Sequence, residues 1–154
     1  MPKPIIWIVD TSVLLNVLEH PDRSQDREAI VAAFEERIRA GHRFAIPLTT
    51  IIETGNWAYK MAPGLRAAWA TKLAKFITDS LSGDAPFIIM DFPERDDVAN
   101  FLTRLPQYVD RMGLGDLMIH QQWEQLCSSG KFGGYQLNVW SLDKVGLQGL
   151  ECNH

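Results

Sequence analysis

Four acidic residues follow apolar segments or open apolar helices along the chain: Asp10, Glu53, Asp116 and Asp143. Asp10 and Asp143 each follow a short apolar run, whereas Glu53 and Asp116 stand in the first turns of predicted helices. Carboxylates gathered at one place repel, and each raises the pKa of the others unless a cation neutralises them. Oxygen donors of this kind suit a hard divalent ion, Mg²⁺ or Mn²⁺. The pattern therefore predicts an acidic metal site.

Each of the four acids also has a purely structural interpretation. Asp10 begins an Asp-Thr-Ser segment, and all three residue types cap helices. Glu53 follows Thr50 by three residues, which is the spacing of a capping box. Asp116 would be stabilised by the dipole of its helix, and Asp143 suits an ordinary turn. Because the acids recur at topologically equivalent places, we favour the shared site.

The elements that must position these residues alternate along the chain. Continuous apolar runs predict four strands buried on both faces, at residues 5–9, 44–46, 87–90 and 137–140. Apolar residues at helical spacing predict helices at about residues 13–18, 22–40, 49–60, 64–82, 98–105 and 115–127. Strands that alternate with helices predict one domain over residues 1–154, a three-layer α/β/α sandwich with a central parallel sheet. Ligands of such sheets bind beyond the carboxyl ends of the strands, where Asp10 and Asp143 are expected.

Several other kinds of catalytic site are excluded by their missing motifs. The sequence contains no phosphate-binding Gly-x-x-x-x-Gly-Lys-Ser/Thr loop and no Gly-x-Ser-x-Gly nucleophile motif. The four histidines share no spacing typical of metal ligands. Position 12 is Ser where an aspartyl-phosphate phosphatase would carry a second Asp, which argues against that class of enzyme.

Four motifs, taken in order, resemble those of the PIN-domain ribonucleases. They are Ile-Val-Asp10-Thr-Ser, the segment from Pro47 to Glu53, Gly-Leu-Gly-Asp116-Leu-Met-Ile and Trp-Ser141-Leu-Asp143. The resemblance runs from Ile5 to about Leu147, and the VapC-like toxins of bacterial toxin–antitoxin modules are the branch most similar in size.

The resemblance implies a metal-dependent ribonuclease that hydrolyses RNA phosphodiester bonds with an acidic Mg²⁺ or Mn²⁺ site. It implies that four carboxylates are catalytic and bind the metal: Asp10, Glu53, Asp116 and Asp143. The supporting hydroxyl positions near the metal are Thr11, Ser12 and Ser141. An antitoxin protein is the partner expected for a toxin of this branch. The alternative is a catalytically inactive PIN-like module that binds nucleic acid or protein.

Composition limits the setting in which this chemistry would occur. The 154 residues carry a formal net charge of −4, which argues against a broad basic surface but not against a nuclease whose carboxylates hold metal. Cys127 and Cys152 are too few for a disulfide scaffold and are interpreted as free cytosolic thiols. We find no signal peptide and no apolar run long enough to span a membrane, so a cytoplasmic protein is expected.

Two surface features give further hypotheses. Trp57, Tyr59 and Trp69 fall at a predicted helix hairpin, which would suit the contact of a two-fold homodimer, although core packing is an equal alternative. Seven cations lie on helices or loops that could flank the acidic cleft, although most charges of this kind are simply solvated: Arg23, Arg27, Arg37, Arg39, Lys60, Arg66 and Lys72.

Overall fold

A computed structural model describes residues 2–143 and 146–153. In these ranges the chain forms a five-stranded sheet whose strands are β1 (Ile5–Val9), β2 (Arg43–Ile46), β3 (Phe87–Ile89), β4 (Gln136–Trp140) and β5 (Glu151–Asn153). The helices are α1 (Thr11–Val17), α2 (Arg27–Arg39), α3 (Leu48–Tyr59), α4 (Pro63–Leu81), α5 (Arg95–Tyr108) and α6 (Leu114–Ser129). The predicted α/β class is confirmed, and the four predicted strands are present within one residue of their predicted bounds.

The strands lie in the order β3-β2-β1-β4-β5, so the chain crosses over β1 to place β4 on its other side. Strands β1 to β4 are mutually parallel, with Ile8 paired to Ala45 on one side and to Val139 on the other. The strand order therefore reverses at the gap between the carboxyl ends of β1 and β4. This is the position in an open parallel sheet where ligands bind.

The prediction of a wholly parallel sheet is wrong at one edge. Strand β5 runs antiparallel to β4, with Leu137 opposite Cys152 and Gln136 opposite Asn153. It covers the edge of β4 that a four-stranded sheet would leave unpaired, and an exposed edge invites pairing with other chains. The sheet is therefore mixed.

Helices cover both faces of the sheet, as a three-layer arrangement requires. On one face, Val9, Phe44 and Trp140 pack against helices α1 to α4. On the other face, Ile8 and Val139 pack against Ile119 of α6. The alternation follows from the strand period of two, which sends successive side chains to opposite faces. Among the described residues, no helix is both long enough and apolar enough to cross a membrane.

Two expectations about particular side chains are corrected. Cys127 of α6 and Cys152 of β5 form a disulfide, so they are not free thiols. Trp69 is only 5% exposed, and its Nε1 donates a hydrogen bond of 3.0 Å to the carbonyl oxygen of Leu18. It therefore belongs to the core of its own chain rather than to a subunit contact. The dimer itself stays a prediction.

Candidate functional site

Asp10 directly follows β1 at the centre of the sheet and is 5% exposed. Its backbone N–H donates to the carbonyl oxygen of Trp140 over 3.0 Å, which extends the pairing of β1 with β4 by one residue. Asp10 holds the N-cap position of α1, yet within the described chain its carboxylate makes no capping hydrogen bond. The capping interpretation is therefore wrong for this side chain, and its carboxylate is committed elsewhere.

Two serine hydroxyls hold the Asp10 carboxylate. Ser12 Oγ donates to Asp10 Oδ2 over 3.0 Å, and Ser141 Oγ donates to the same oxygen over 2.8 Å. Each hydroxyl also accepts a backbone N–H from the segment after β4, Ser12 from Leu142 and Ser141 from Asp143, both over 3.0 Å. Because the hydrogen bonds of a connected network reinforce one another, this network fixes the carboxylate between the ends of two strands.

Glu53 approaches the same region from α3. Its Oε2 accepts a hydrogen bond of 2.9 Å from Thr11 Oγ1, whereas Thr50 Oγ1 donates to the carbonyl oxygen of Val9 over 2.8 Å. The capping-box interpretation of Thr50 and Glu53 is therefore wrong. Burial raises the pKa of Glu53, the Thr11 hydrogen bond opposes that change, and the charge of Asp10 adds to it.

Asp116 is the acid on which the others converge. It lies in the first turn of α6, and its pKa is raised to about 7. Burial is the largest cause, followed by the charges of Asp10, Asp143 and Glu53 and by a hydrogen bond with Asp143. The charges of the other three predicted acids therefore all reach Asp116. We call these four residues the acidic site.

Asp143 faces Asp116 beside a glycine. A methyl group built on Gly146 would lie 3.0 Å from Asp143 Oδ2 and 3.5 Å from Asp116 Oδ2. Both carboxylates therefore face one small volume that Gly146 leaves open. The neighbouring residues 144 and 145 lie outside the described residues.

A second glycine admits Glu53 to the site. A Cβ on Gly115 would collide with the Glu53 carboxyl group, whose Cδ would lie 2.9 Å away, and it would approach Thr49 Cγ2 to 3.3 Å. The start of α6 can lie close to α3 because residue 115 has no side chain. Sequence reasoning assigned no role to Gly115 or Gly146, and the only available signal was that Gly115 directly precedes Asp116.

The donor chemistry of the acidic site fits a hard divalent cation. In the described part of the chain, no Lys or Arg forms an ion pair with Asp10, Glu53 or Asp116. The side chains as placed do not form a finished coordination shell: within residues 2–143 and 146–153, no three His, Cys, Asp or Glu groups are arranged to hold a metal ion. The charges of Asp10, Asp143 and Glu53, which add to the effect of burial on the pKa of Asp116, are charges that a bound cation would neutralise.

Comparison with known proteins adds no assignment to this geometry. No protein-family model matches the chain, and no curated protein matches its sequence.

Proposed function

We propose that this chain is a metal-dependent ribonuclease that hydrolyses RNA phosphodiester bonds at the acidic site. The observation that carries the proposal is the pKa of Asp116, which is raised to about 7 by burial and then by the charges of Asp10, Asp143 and Glu53. A half-buried carboxyl group whose pKa is raised by burial and by three neighbouring acids destabilises the folded chain when it ionises, so a structural role does not explain its place here. Such clusters are typical of functional sites, and the switch point of the sheet is where a substrate would bind.

Asp10 and Asp116 are our assigned direct ligands of Mg²⁺ or Mn²⁺, and Glu53 and Asp143 complete the set. A bound ion of this kind lowers the pKa of a water molecule and stabilises charge on a phosphodiester. Ser12 and Ser141 hold Asp10 in one orientation. Thr11 does the same for Glu53, since its hydroxyl already occupies Glu53 Oε2. Residues that orient ligands in this way commonly affect activity by about 10- to 100-fold.

The proton on Asp116 is part of the proposal. With a pKa of about 7, this carboxyl group is half protonated near neutral pH in the absence of a cation. Ligand carboxylates must be deprotonated, so cation binding releases that proton and becomes tighter as the pH rises. A bound cation would then offset the electrostatic repulsion among the four acids.

Cleavage of end-labelled RNA, with and without chelator, tests the proposed function. We expect the wild type to cleave single-stranded or structured RNA with Mg²⁺ or Mn²⁺, and we expect EDTA or the Asp10→Asn substitution to abolish cleavage. Asp110→Asn is the matched control, since Asp110 is exposed and lies in the turn after α5. Cleavage that persists in Asp10→Asn, or that ignores EDTA, would contradict the assignment. RNA binding without cleavage would instead favour the inactive module.

We further propose, as the finer part of this function, that the chain is the toxin of a toxin–antitoxin module and acts in the cytoplasm. Induced expression should then arrest growth in the wild type and not in Asp10→Asn, and an antitoxin protein should relieve the arrest. If cells that express the wild type grow normally although the purified protein cleaves RNA, the ribonuclease proposal is supported and the toxin proposal is contradicted.

A further inference from the structure

Trp57, on α3, carries two cations over its indole ring. The Arg23 guanidinium carbon lies 4.4 Å from the ring centroid, and Lys60 Nζ lies 4.2 Å from it. His20, which is buried, contacts the same indole edge-on at 5.6 Å between ring centroids and bonds to the Trp57 carbonyl oxygen through Nε2. The contact with buried His20 therefore fixes the position of the indole, and the indole in turn positions the two cations.

Within the described residues, these two cations differ from their neighbours in forming no ion pair with an acid. Nearby, Arg27 and Lys72 both pair with Glu19, at 3.0 and 3.4 Å. In the part of the chain that the structure describes, neither Arg23 nor Lys60 forms an ion pair, although both are exposed. Their charge is thus available to a ligand.

Trp57 and Lys60, the C-cap residue of α3, continue the face of the helix on which Glu53 lies. Glu53, Trp57 and Lys60 are spaced i, i+4 and i+7, so they lie on one side of the helix. At 1.5 Å per residue, Trp57 lies about 6 Å and Lys60 about 10 Å beyond Glu53 along the helix axis. A strand with stacked bases advances about 3.4 Å per phosphate, so this distance corresponds to about three nucleotides.

We infer that Arg23, Trp57 and Lys60 form a basic strip that binds the phosphates of single-stranded RNA next to the scissile bond. The inference rests on the proposed function. A chain of net charge −4 with an acidic site repels RNA, which is a polyanion. The strip provides a local cationic surface that attracts it. Positively charged side chains that follow the backbone of the nucleic acid are typical of sequence-tolerant single-strand binding.

Fluorescence anisotropy of a labelled short oligouridylate in EDTA tests the strip apart from catalysis. We expect Arg23→Gln/Lys60→Gln to bind at least about tenfold more weakly than the wild type, because two contacts to phosphates are lost. The slope of log affinity against log salt should fall by about 1.4, since each phosphate contact on a single strand contributes ~0.7.

The matched control is Lys3→Gln/Arg43→Gln, which removes the same charges at the opposite edge of the sheet, where β1 and β2 begin. It should bind as the wild type does. Equal weakening in the two double variants, or no RNA binding by the wild type, would overturn the inference. So would tighter binding of a labelled polyglutamate peptide than of the RNA, or light scattering in which Arg23→Gln/Lys60→Gln converts a dimer to a monomer.

A second pair of variants tests whether the indole positions the cations. Trp57→Leu should weaken RNA binding about as much as the double variant does. Trp57→Phe, which keeps an aromatic face, should bind RNA as the wild type does and have the melting temperature of the wild type. In cleavage assays, Arg23→Gln/Lys60→Gln should raise KM and leave kcat unchanged, as expected for lost uniform binding. The chain could bind RNA through the strip and yet show no metal-dependent cleavage. That result would support the inference and contradict the proposed ribonuclease activity.

Discussion

Ser141 Oγ donates a hydrogen bond of 2.8 Å to Asp10 Oδ2, which joins two side chains that are 131 residues apart in the sequence. Both residues directly follow parallel strands that are neighbours in the sheet. The same Ser141 oxygen accepts the backbone N–H of Asp143, so one hydroxyl sets the position of two acids. The orientation of the acidic site is therefore tied to the pairing of β1 with β4 rather than to a flexible loop.

Replacement of Asp10 by Asn should remove metal binding without unfolding the protein. The charge of Asp10 is the largest of the three that raise the pKa of Asp116, so its loss relieves repulsion and offsets the weaker bonds from Ser12 and Ser141. We expect Mg²⁺ or Mn²⁺ to raise the melting temperature of the wild type by preferential binding to the folded state, and to leave that of Asp10→Asn unchanged. Differential scanning calorimetry in EDTA and with added metal measures both. A metal-free variant that melts many degrees below the wild type would favour a structural role for Asp10.

The metal-free protein should become less stable as the pH rises from about 4 to about 7. Asp116 has a pKa of about 7 in the folded chain against an ordinary value of 3.8, so the folded state binds more protons between these values. Its stabilising contribution is complete below pH 3.8 and is lost as the pH passes through about 7. Glu53, whose pKa is also raised, changes stability in the same direction.

Urea unfolding in EDTA across this pH range measures the effect. Asp116→Asn should flatten the dependence, because the amide does not titrate, and it should be the more stable protein at the upper end of the range. Saturating Mg²⁺ should oppose the loss of stability, since cation binding tightens as the carboxylates ionise. A free energy of unfolding that rises with pH in the metal-free wild type would contradict the assigned pKa.

The positions of the acids were predictable because strand ends and helix starts can be recognised locally. Asp10 and Asp143 follow apolar runs, and parallel strands bring their carboxyl ends to one edge. Repulsion among gathered carboxylates predicted a raised pKa, but its value of about 7 at Asp116 was not predictable, because it depends on burial and on three charges from other elements. Burial and the distances between charges on different elements are properties of the tertiary structure alone.

The elements that sequence reasoning missed have weak local signals. Strand β5 is three residues long and includes Asn153, a residue type depleted in strands, so only its pairing with β4 defines it. Trp69 carried an ambiguous signal, since an aromatic residue on an amphipathic helix suits a core and a contact equally. Its burial against Leu18 decides for the core.

The bridge between Cys127 and Cys152 should contribute measurably to stability. It joins α6 to β5 across a sequence separation of 25 residues, and closing a loop of that length restricts the unfolded chain by ~3 kcal/mol. We expect dithiothreitol, or Cys127→Ser/Cys152→Ser, to lower the free energy of unfolding by about that amount. The reductant should not affect the double variant. Two free thiols in protein purified without reductant would show that the bridge does not form.

Gly115→Ala should disable the site while the fold survives. The new methyl group would meet the Glu53 carboxyl group, which is the far end of a flexible side chain and can turn away, whereas Thr49 Cγ2 at 3.3 Å needs only a small shift. Turning Glu53 away breaks its 2.9 Å hydrogen bond with Thr11 and removes one acid from the site.

We therefore expect kcat/KM for RNA cleavage to fall by about 10- to 100-fold in Gly115→Ala, the range for lost support of a metal ligand. The melting temperature should change by only a few degrees. Gly113→Ala is the matched control, because its backbone is extended and a methyl group there meets nothing described within 4 Å. It should cleave as the wild type does. Equal activity in the two variants would mean that Glu53 need not lie beside Asp116, and the set of ligands would then lose Glu53.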